Sequence, residues 1–117
     1  MEKIQISDVF SCNRVLFALM QQQSKFPISV GLKLFKISKI FDEVEEYVFN
    51  VMNMTFNDYS FENMTDEQNL FFNKLMNENI ELDYEKIPVS VFENNEEIKL
   101  TIEEISYLSI ILQEKSQ

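Results

Sequence analysis

The chain has 117 residues and a mass of 13.9 kDa, which is enough for one ordinary domain and too little for two. We therefore expect a single domain over residues 1–117. The 45% of hydrophobic residues, including 11 Phe and 4 Tyr, favours a folded core over disorder. The formal charge of −10 excludes general phosphate neutralisation, so direct nucleic-acid binding is not expected.

Residue types that commonly carry chemistry are scarce in this chain. It has no His, one Cys and one Gly, which removes the commonest general base, two-His metal sites and glycine-rich phosphate loops. Cys12 is expected to be a buried core thiol. The acidic groups within 42–46 and 93–97 lack the spacing of a calcium-binding loop. We therefore predict no metal, no cofactor and no enzymatic activity.

The sequence also predicts where the protein works. The opening Met-Glu-Lys-Ile-Gln-Ile lacks the basic region and apolar run that mark a secretory signal. Lys, Glu or Asn interrupts every apolar run well before the ~20 residues that a membrane span requires. We therefore expect a cytoplasmic protein that does not use a membrane.

Helical periodicity predicts the first two elements. Ser7 and Asp8 are suited to begin a helix that must end before Pro27. The stretch from Ile28 to about Asn53 has the longest helical period of the chain. The inward stripe predicted for the first helix consists of Val9, Cys12, Leu16, Leu19 and Gln23, and that of the second of Leu34, Ile37, Phe41, Val44, Val48 and Val51. Residues 53–63 have no clean period and are predicted to form an aromatic-rich loop.

Two capping boxes mark the beginnings of two further helices, at 65–68 and at 101–104. In the last helix the spacing predicts an inward stripe of Ile102, Ile105, Leu108 and Leu112. Alternating residues at 80–84 and 87–91 predict two strands joined as a hairpin, with Pro88 at an edge. The predicted fold is α+β, mainly α, with three N-terminal helices packed together, a small β-hairpin and a capped C-terminal helix.

Charge is distributed unevenly along the chain. Residues 1–41 contain six bases and two acids, a net charge of +4, whereas residues 42–117 contain 18 acids and four bases, a net charge of −14. Lys33, Lys36 and Lys39 follow one face of the long helix, ahead of the acids at 42–46. This pattern indicates either an ordinary solvated face or a weak basic patch.

The aromatic residues of the irregular loop have two interpretations. Phe56, Tyr59, Phe61 and Met64 either close the end of the core or form the apolar anchors of a docking surface. Both interpretations stay open at the level of the sequence.

The order of elements and motifs resembles that of a known kind of small protein. A short helix is followed by Lys25-Phe26-Pro27, a long helix with Leu32-x-x-Phe35-Lys36-Ile37, then Ile87-Pro88-Val89 and a capped terminal helix. This order resembles uncharacterised small acidic proteins of tailed phages and prophages of low-GC bacteria, over most of the chain. The resemblance implies no catalytic residues. It implies a phage setting in the host cytoplasm, where such proteins build the virion or inhibit a host machine.

The leading hypothesis is a phage-encoded, non-catalytic interaction protein that inhibits or modulates a host complex in defence or nucleic-acid processing. An acidic surface can occupy a basic nucleic-acid channel through complementary potential, while apolar anchors fix the register. The predicted partner-binding residues are Glu93, Glu96, Glu97, Glu103 and Glu104 for charge, and Phe56, Tyr59 and Phe61 as anchors.

The alternative hypothesis is a virion structural or assembly component that forms a homo-oligomer. The long helix, basic in one half and acidic in the other, would then pair antiparallel with a copy of itself. A stable homo-oligomer favours assembly, whereas a small species that captures a host protein favours inhibition.

Overall fold

The computed structural model describes residues 2–22 and 25–113. It shows the expected mainly helical α+β fold. The elements in chain order are β1 (Glu2–Gln5), α1 (Ile6–Met20), α2 (Ile28–Thr55), α3 (Asp66–Met76), β2 (Asn79–Leu82), β3 (Ile87–Pro88), α4 (Ser90–Glu93), α5 (Ile102–Leu108) and β4 (Leu112–Gln113), with 3₁₀ turns at Phe61–Asn63 and Ser109–Ile111.

The first three helices pack together, as predicted. Four of the five positions predicted to face inward from the first helix are buried, and the fifth, Gln23, lies outside the described residues. Five of the six predicted for α2 are buried. The exception is Val51, which is half-buried, while its neighbour Met52 is fully buried. Period-3.6 spacing therefore identified the packed faces correctly, because each helix has a neighbour along that face.

The beginning of α1 differs from the prediction by two residues. The helix begins at Ile6, with Gln5 in the extended N-cap position, and not after a Ser7 cap. The cause lies upstream in β1, which the sequence analysis did not predict. β1 pairs antiparallel with β2, and the Ile6 amide then donates to the Glu78 carbonyl at 2.9 Å. Because the β1–β2 hydrogen bonds continue through the Ile6 amide, α1 begins directly after β1.

The mainly helical class is confirmed, but the two predicted strands do not pair with each other. β2 pairs with β1, and the second segment keeps only Ile87–Pro88 as strand, parallel to β4. Val91 lies in α4 instead. Tyr84, between the two segments, packs edge-to-face on Phe41 and donates its hydroxyl to the Ile110 carbonyl at 2.6 Å. These contacts hold the segment between β2 and β3 against the core. A hairpin turn would have left the same segment at the surface of the molecule.

Both predicted capping boxes are present. Thr65 Oγ1 accepts from the Gln68 amide at 3.2 Å, and Gln68 Oε1 accepts from the Thr65 amide at 3.0 Å. The same two bonds join Thr101 and Glu104, at 3.1 and 2.9 Å. The second box begins α5, which packs on α1 and buries Leu108.

The long helix determines the shape of the molecule. Its 28 residues span about 42 Å at 1.5 Å per residue, close to the longest dimension of 47 Å. The buried apolar side chains of the described residues form one contiguous cluster along its inner face. Within the described ranges, no helix is long and apolar enough to cross a membrane.

Candidate interaction surfaces

The predicted acidic residues lie at the N-terminal end of α2. Asn95 Nδ2 donates to the Lys25 carbonyl at 2.9 Å, which fastens the segment after α4 to the turn before α2. Glu96 and Glu97 line a cleft there together with Pro27. We call the five residues Glu93, Glu96, Glu97, Glu103 and Glu104 the acidic end.

The members of the acidic end have different surroundings. Glu93, Glu96, Glu97 and Glu103 are exposed, whereas Glu104 is half-buried and its carboxylate is used in the capping box. Glu103 Oε1 accepts a hydrogen bond from the Tyr107 hydroxyl at 2.7 Å, and this bond raises the pKa of Tyr107. Glu104 therefore has a structural role, whereas the side chains of Glu93, Glu96, Glu97 and Glu103 are exposed to solvent.

Apolar side chains lie beside these carboxylates. A cleft of about 390 Å³ is lined by Phe92, Ile98, Leu100 and Ile105, with Glu93 at its edge. Ile102, in the first turn of α5, is 88% exposed. The sequence analysis placed Ile102 and Ile105 on an inward stripe, which was wrong: periodicity identifies the apolar face of a helix but not whether a neighbour covers it.

The three predicted aromatic anchors lie beyond the C-terminus of α2, in a chain of packed rings. Phe56 packs edge-to-face on Phe71, with ring centres 5.6 Å apart, and Phe61 packs in the same way on Phe49 and Phe72 at 5.8 and 5.9 Å. Such pairs stabilise a fold beyond the area that they bury.

The three predicted anchors differ in how much of each side chain is exposed to solvent. Phe56 and Tyr59 are half-buried, and burial raises the pKa of the Tyr59 hydroxyl. Phe61 is 56% exposed. The packing favours the interpretation that these rings mainly close the end of the core. We call Phe49, Phe56, Phe61, Phe71 and Phe72 the aromatic end.

The structure does not bring the two halves of the predicted site together. Glu96 and Glu97 share a cleft with Pro27, the N-cap of α2, whereas Phe56 is its C-cap. The length of the helix, about 42 Å, separates them. The apolar partners of the acidic end are therefore Ile102, Ile105 and their cleft, and the sequence signal that could have found them was their position in the same capped helix as Glu103.

A polar cluster joins α1 and α2 midway between the two ends. Asn13 Nδ2 donates to Asp42 Oδ1 and to Glu45 Oε2, both at 2.8 Å. Burial raises the pKa of Glu45, and the nearby Asp42 charge adds to this, while the bond from Asn13 opposes it. Burial also raises the pKa of the Cys12 thiol to about 12, so this thiol is protonated and unreactive. Across residues 2–22 and 25–113, no group of three or more His, Cys, Asp or Glu side chains is placed to hold a metal ion.

Comparison with protein-family models, curated proteins and solved structures finds no match for this chain. The functional argument therefore depends on the geometry and charge of its own residues.

Proposed function

We propose that this protein is a non-catalytic interaction protein that binds a host protein through its acidic end. The proposed partner has a basic, nucleic-acid-binding surface and belongs to a defence or nucleic-acid-processing complex, which the binding inhibits or modulates. The observation that carries the proposal is an apolar cleft lined in part by Glu93 and Lys99, in a stretch of chain that also contains the exposed Glu96, Glu97, Glu103 and Ile102. The phage setting rests on the sequence resemblance.

The charge of this region supports electrostatic recognition. Residues 93–104 contain five glutamates and one lysine, Lys99. A surface of one sign steers an oppositely charged partner and accelerates association, an effect that salt weakens. A nucleic-acid-binding channel presents a suitable positive potential, because its lysines and arginines are arranged for phosphates.

The apolar residues supply the water-excluding centre of the proposed interface, which charged residues alone do not provide. Interfaces typically have an apolar centre that excludes water and a polar rim that sets orientation. Ile102 and Ile105 lie three residues apart on α5, so they share a face, and Glu93 lines the same cleft as Ile105. We infer that a partner side chain enters the cleft near Ile105 while its basic residues meet the glutamates.

The test is capture of host proteins from a lysate of a low-GC bacterium by the full tagged chain, at low and high salt. We expect recovery of a protein with a basic nucleic-acid-binding surface, released at high salt. The purified pair is then measured with the double variant E96K/E97K, for which we expect about tenfold weaker binding or more.

The matched control is E62K/E78K, which makes the same change in net charge at exposed positions near the aromatic end. It should bind like the wild type. Equal binding by both variants would overturn the assignment of the acidic end. Recovery of the protein's own oligomer alone would favour virion assembly instead.

A further inference from the structure

The outward face of α2 exposes apolar side chains at both of its ends. Ile28 in the first turn is 90% exposed, and Met54 in the last turn is 84% exposed. Phe35 and Tyr47, nearer the middle, are also exposed. At about 100° per residue, Ile28 and Met54 lie within about 40° of the line opposite Phe41, whereas Phe35 and Tyr47 lie about 60° from this line, on its two sides. Such a face on a long helix is typical of an interaction surface.

The charges on the same face follow an order that does not stabilise an isolated helix. Lys36 and Lys39 lie in the N-terminal half, and Glu43 and Glu46 in the C-terminal half, which opposes the helix dipole. Each like-charged pair is three residues apart, so its members are neighbours on the helix surface. The one opposite pair at four residues, Lys39 and Glu43, has the less favourable order.

Contacts within the chain do not account for this order either. The ion pairs found among the described residues join Lys33 to Glu85 and Lys86 to Glu2, both at 3.1 Å. Lys39 Nζ instead lies 5.1 Å from the centre of the Phe35 ring. The outward charges of α2 are therefore available to a partner.

We propose that the outward face of α2 binds the same face of a second copy of this chain, antiparallel, with the twofold axis level with residue 41. In this register, positions equally far from residue 41 lie opposite each other. Lys36 then lies level with Glu46, Lys39 with Glu43 and Ile28 with Met54, while Phe35 and Tyr47 flank the contact on its two sides.

The register is self-complementary in both charge and apolarity. Each basic half faces the acidic half of the other copy. The exposed Ile28 and Met54 meet at both ends of the contact, and Phe35 and Tyr47 add apolar area along its two sides. A closed twofold dimer requires a surface of this kind, since the same patch must fit itself.

The size of the face indicates how strong the dimer is. A strip about 42 Å long and roughly 10 Å wide covers about 400 Å² on each copy. Phe17 and Phe61, both exposed, flank the strip and enlarge it: Phe17 lines a cleft with Ser38 of α2, and Phe61 packs on Phe49 of α2. The area remains at the low end for specific interfaces. We therefore expect a reversible dimer with a micromolar Kd that weakens with salt.

Sedimentation velocity of the full chain tests this proposal, from about 1 to 200 µM at 50 and 500 mM salt. We expect a concentration-dependent dimer that dissociates more readily at high salt. K36E/K39E and E43K/E46K should each weaken self-association about tenfold or more, because each makes two like-charged halves meet. Mixed together, the two variants should form a heterodimer.

The control E62K/E78K has the same net charge as E43K/E46K but an unchanged α2 face. It should dimerise like the wild type and gain no heterodimer with K36E/K39E. Circular dichroism confirms that each variant folds. A monomer at every concentration, or a mixture that stays unassociated, would overturn the proposal. Because the acidic end is intact in all of these variants, host-protein capture is tested separately.

Discussion

The two ends of α2 present the same local motif in different settings. At the aromatic end, the capping box of Thr65 and Gln68 is partly buried: Thr65 is exposed, but Gln68 is 2% exposed and its Nε2 also donates to Asp58 at 3.2 Å. At the acidic end, Thr101 is exposed and Glu104 is half-buried. The glutamine of the first box is therefore more deeply buried than the glutamate of the second.

This difference separates stability from recognition along the molecule. The rings of the aromatic end pack on one another, so removing one leaves unfilled space. The acidic end holds exposed carboxylates and isoleucines, which contribute little to folding and are available to a partner. Substitutions at the two ends should therefore separate cleanly into those that change stability and those that change binding.

The largest expected effect contrasts Phe71 with Ile102. Phe71→Ala removes the ring that packs on Phe56, and we expect it to lower the free energy of unfolding by about 2–4 kcal/mol. Ile102→Ala removes an exposed side chain, with an expected change within about 0.5 kcal/mol. Urea denaturation measures both. Similar losses for the two variants would contradict the contrast.

A smaller effect compares the two capping boxes. Gln68→Ala leaves the Thr65 amide and Asp58 without a partner inside the fold, so we expect a loss of about 1–3 kcal/mol. Glu104→Ala removes the equivalent bond where water can replace it, and we expect less than about 1 kcal/mol. Thermal unfolding of the two variants should show the larger loss of stability for Gln68→Ala. A larger loss for Glu104→Ala would contradict the difference in burial between the two capping boxes.

The smallest effect is pH-dependent and lies between the two ends. The raised pKa of Glu45 means that the folded state binds its proton more readily than the unfolded chain does. Glu45 therefore contributes stability below its unfolded pKa, and this contribution is lost as pH rises through the folded pKa. Glu45→Gln should remove this dependence.

Urea denaturation between pH 4 and pH 7 measures the effect of Glu45→Gln. Relative to the wild type, the variant should gain stability as pH rises, and Glu43→Gln, at an exposed position, serves as the control. A difference between variant and wild type that is the same at both pH values would contradict the shifted pKa.

The helices were predictable because their signals are local. Inward stripes and capping boxes depend on residues close together in the chain, and the structure confirms the stripes of α1 and α2 and the capping boxes of α3 and α5. The strand pairing was not predictable in this way. β1 has only four residues, and its partner Leu82 is 80 residues away from Glu2 along the chain, so no local pattern connects them.

Like the fold, the candidate site was predictable from the sequence only in part. Composition identified the acidic residues, because charge is a property of the sequence itself. Composition did not decide the burial of the apolar residues: Phe56 and Tyr59, left open between core and surface, are half-buried, whereas Ile102 and Ile105 were assigned to the core and are exposed.

By itself, the sequence of this protein determined its helices, their capped beginnings and the uneven distribution of charge. The tertiary structure alone decided that the acidic residues and the aromatic residues lie about 42 Å apart, at opposite ends of α2. It also decided which apolar faces stay open. The physical reason is that periodicity and charge are properties of neighbours along the chain, whereas burial depends on which distant segment packs against each face.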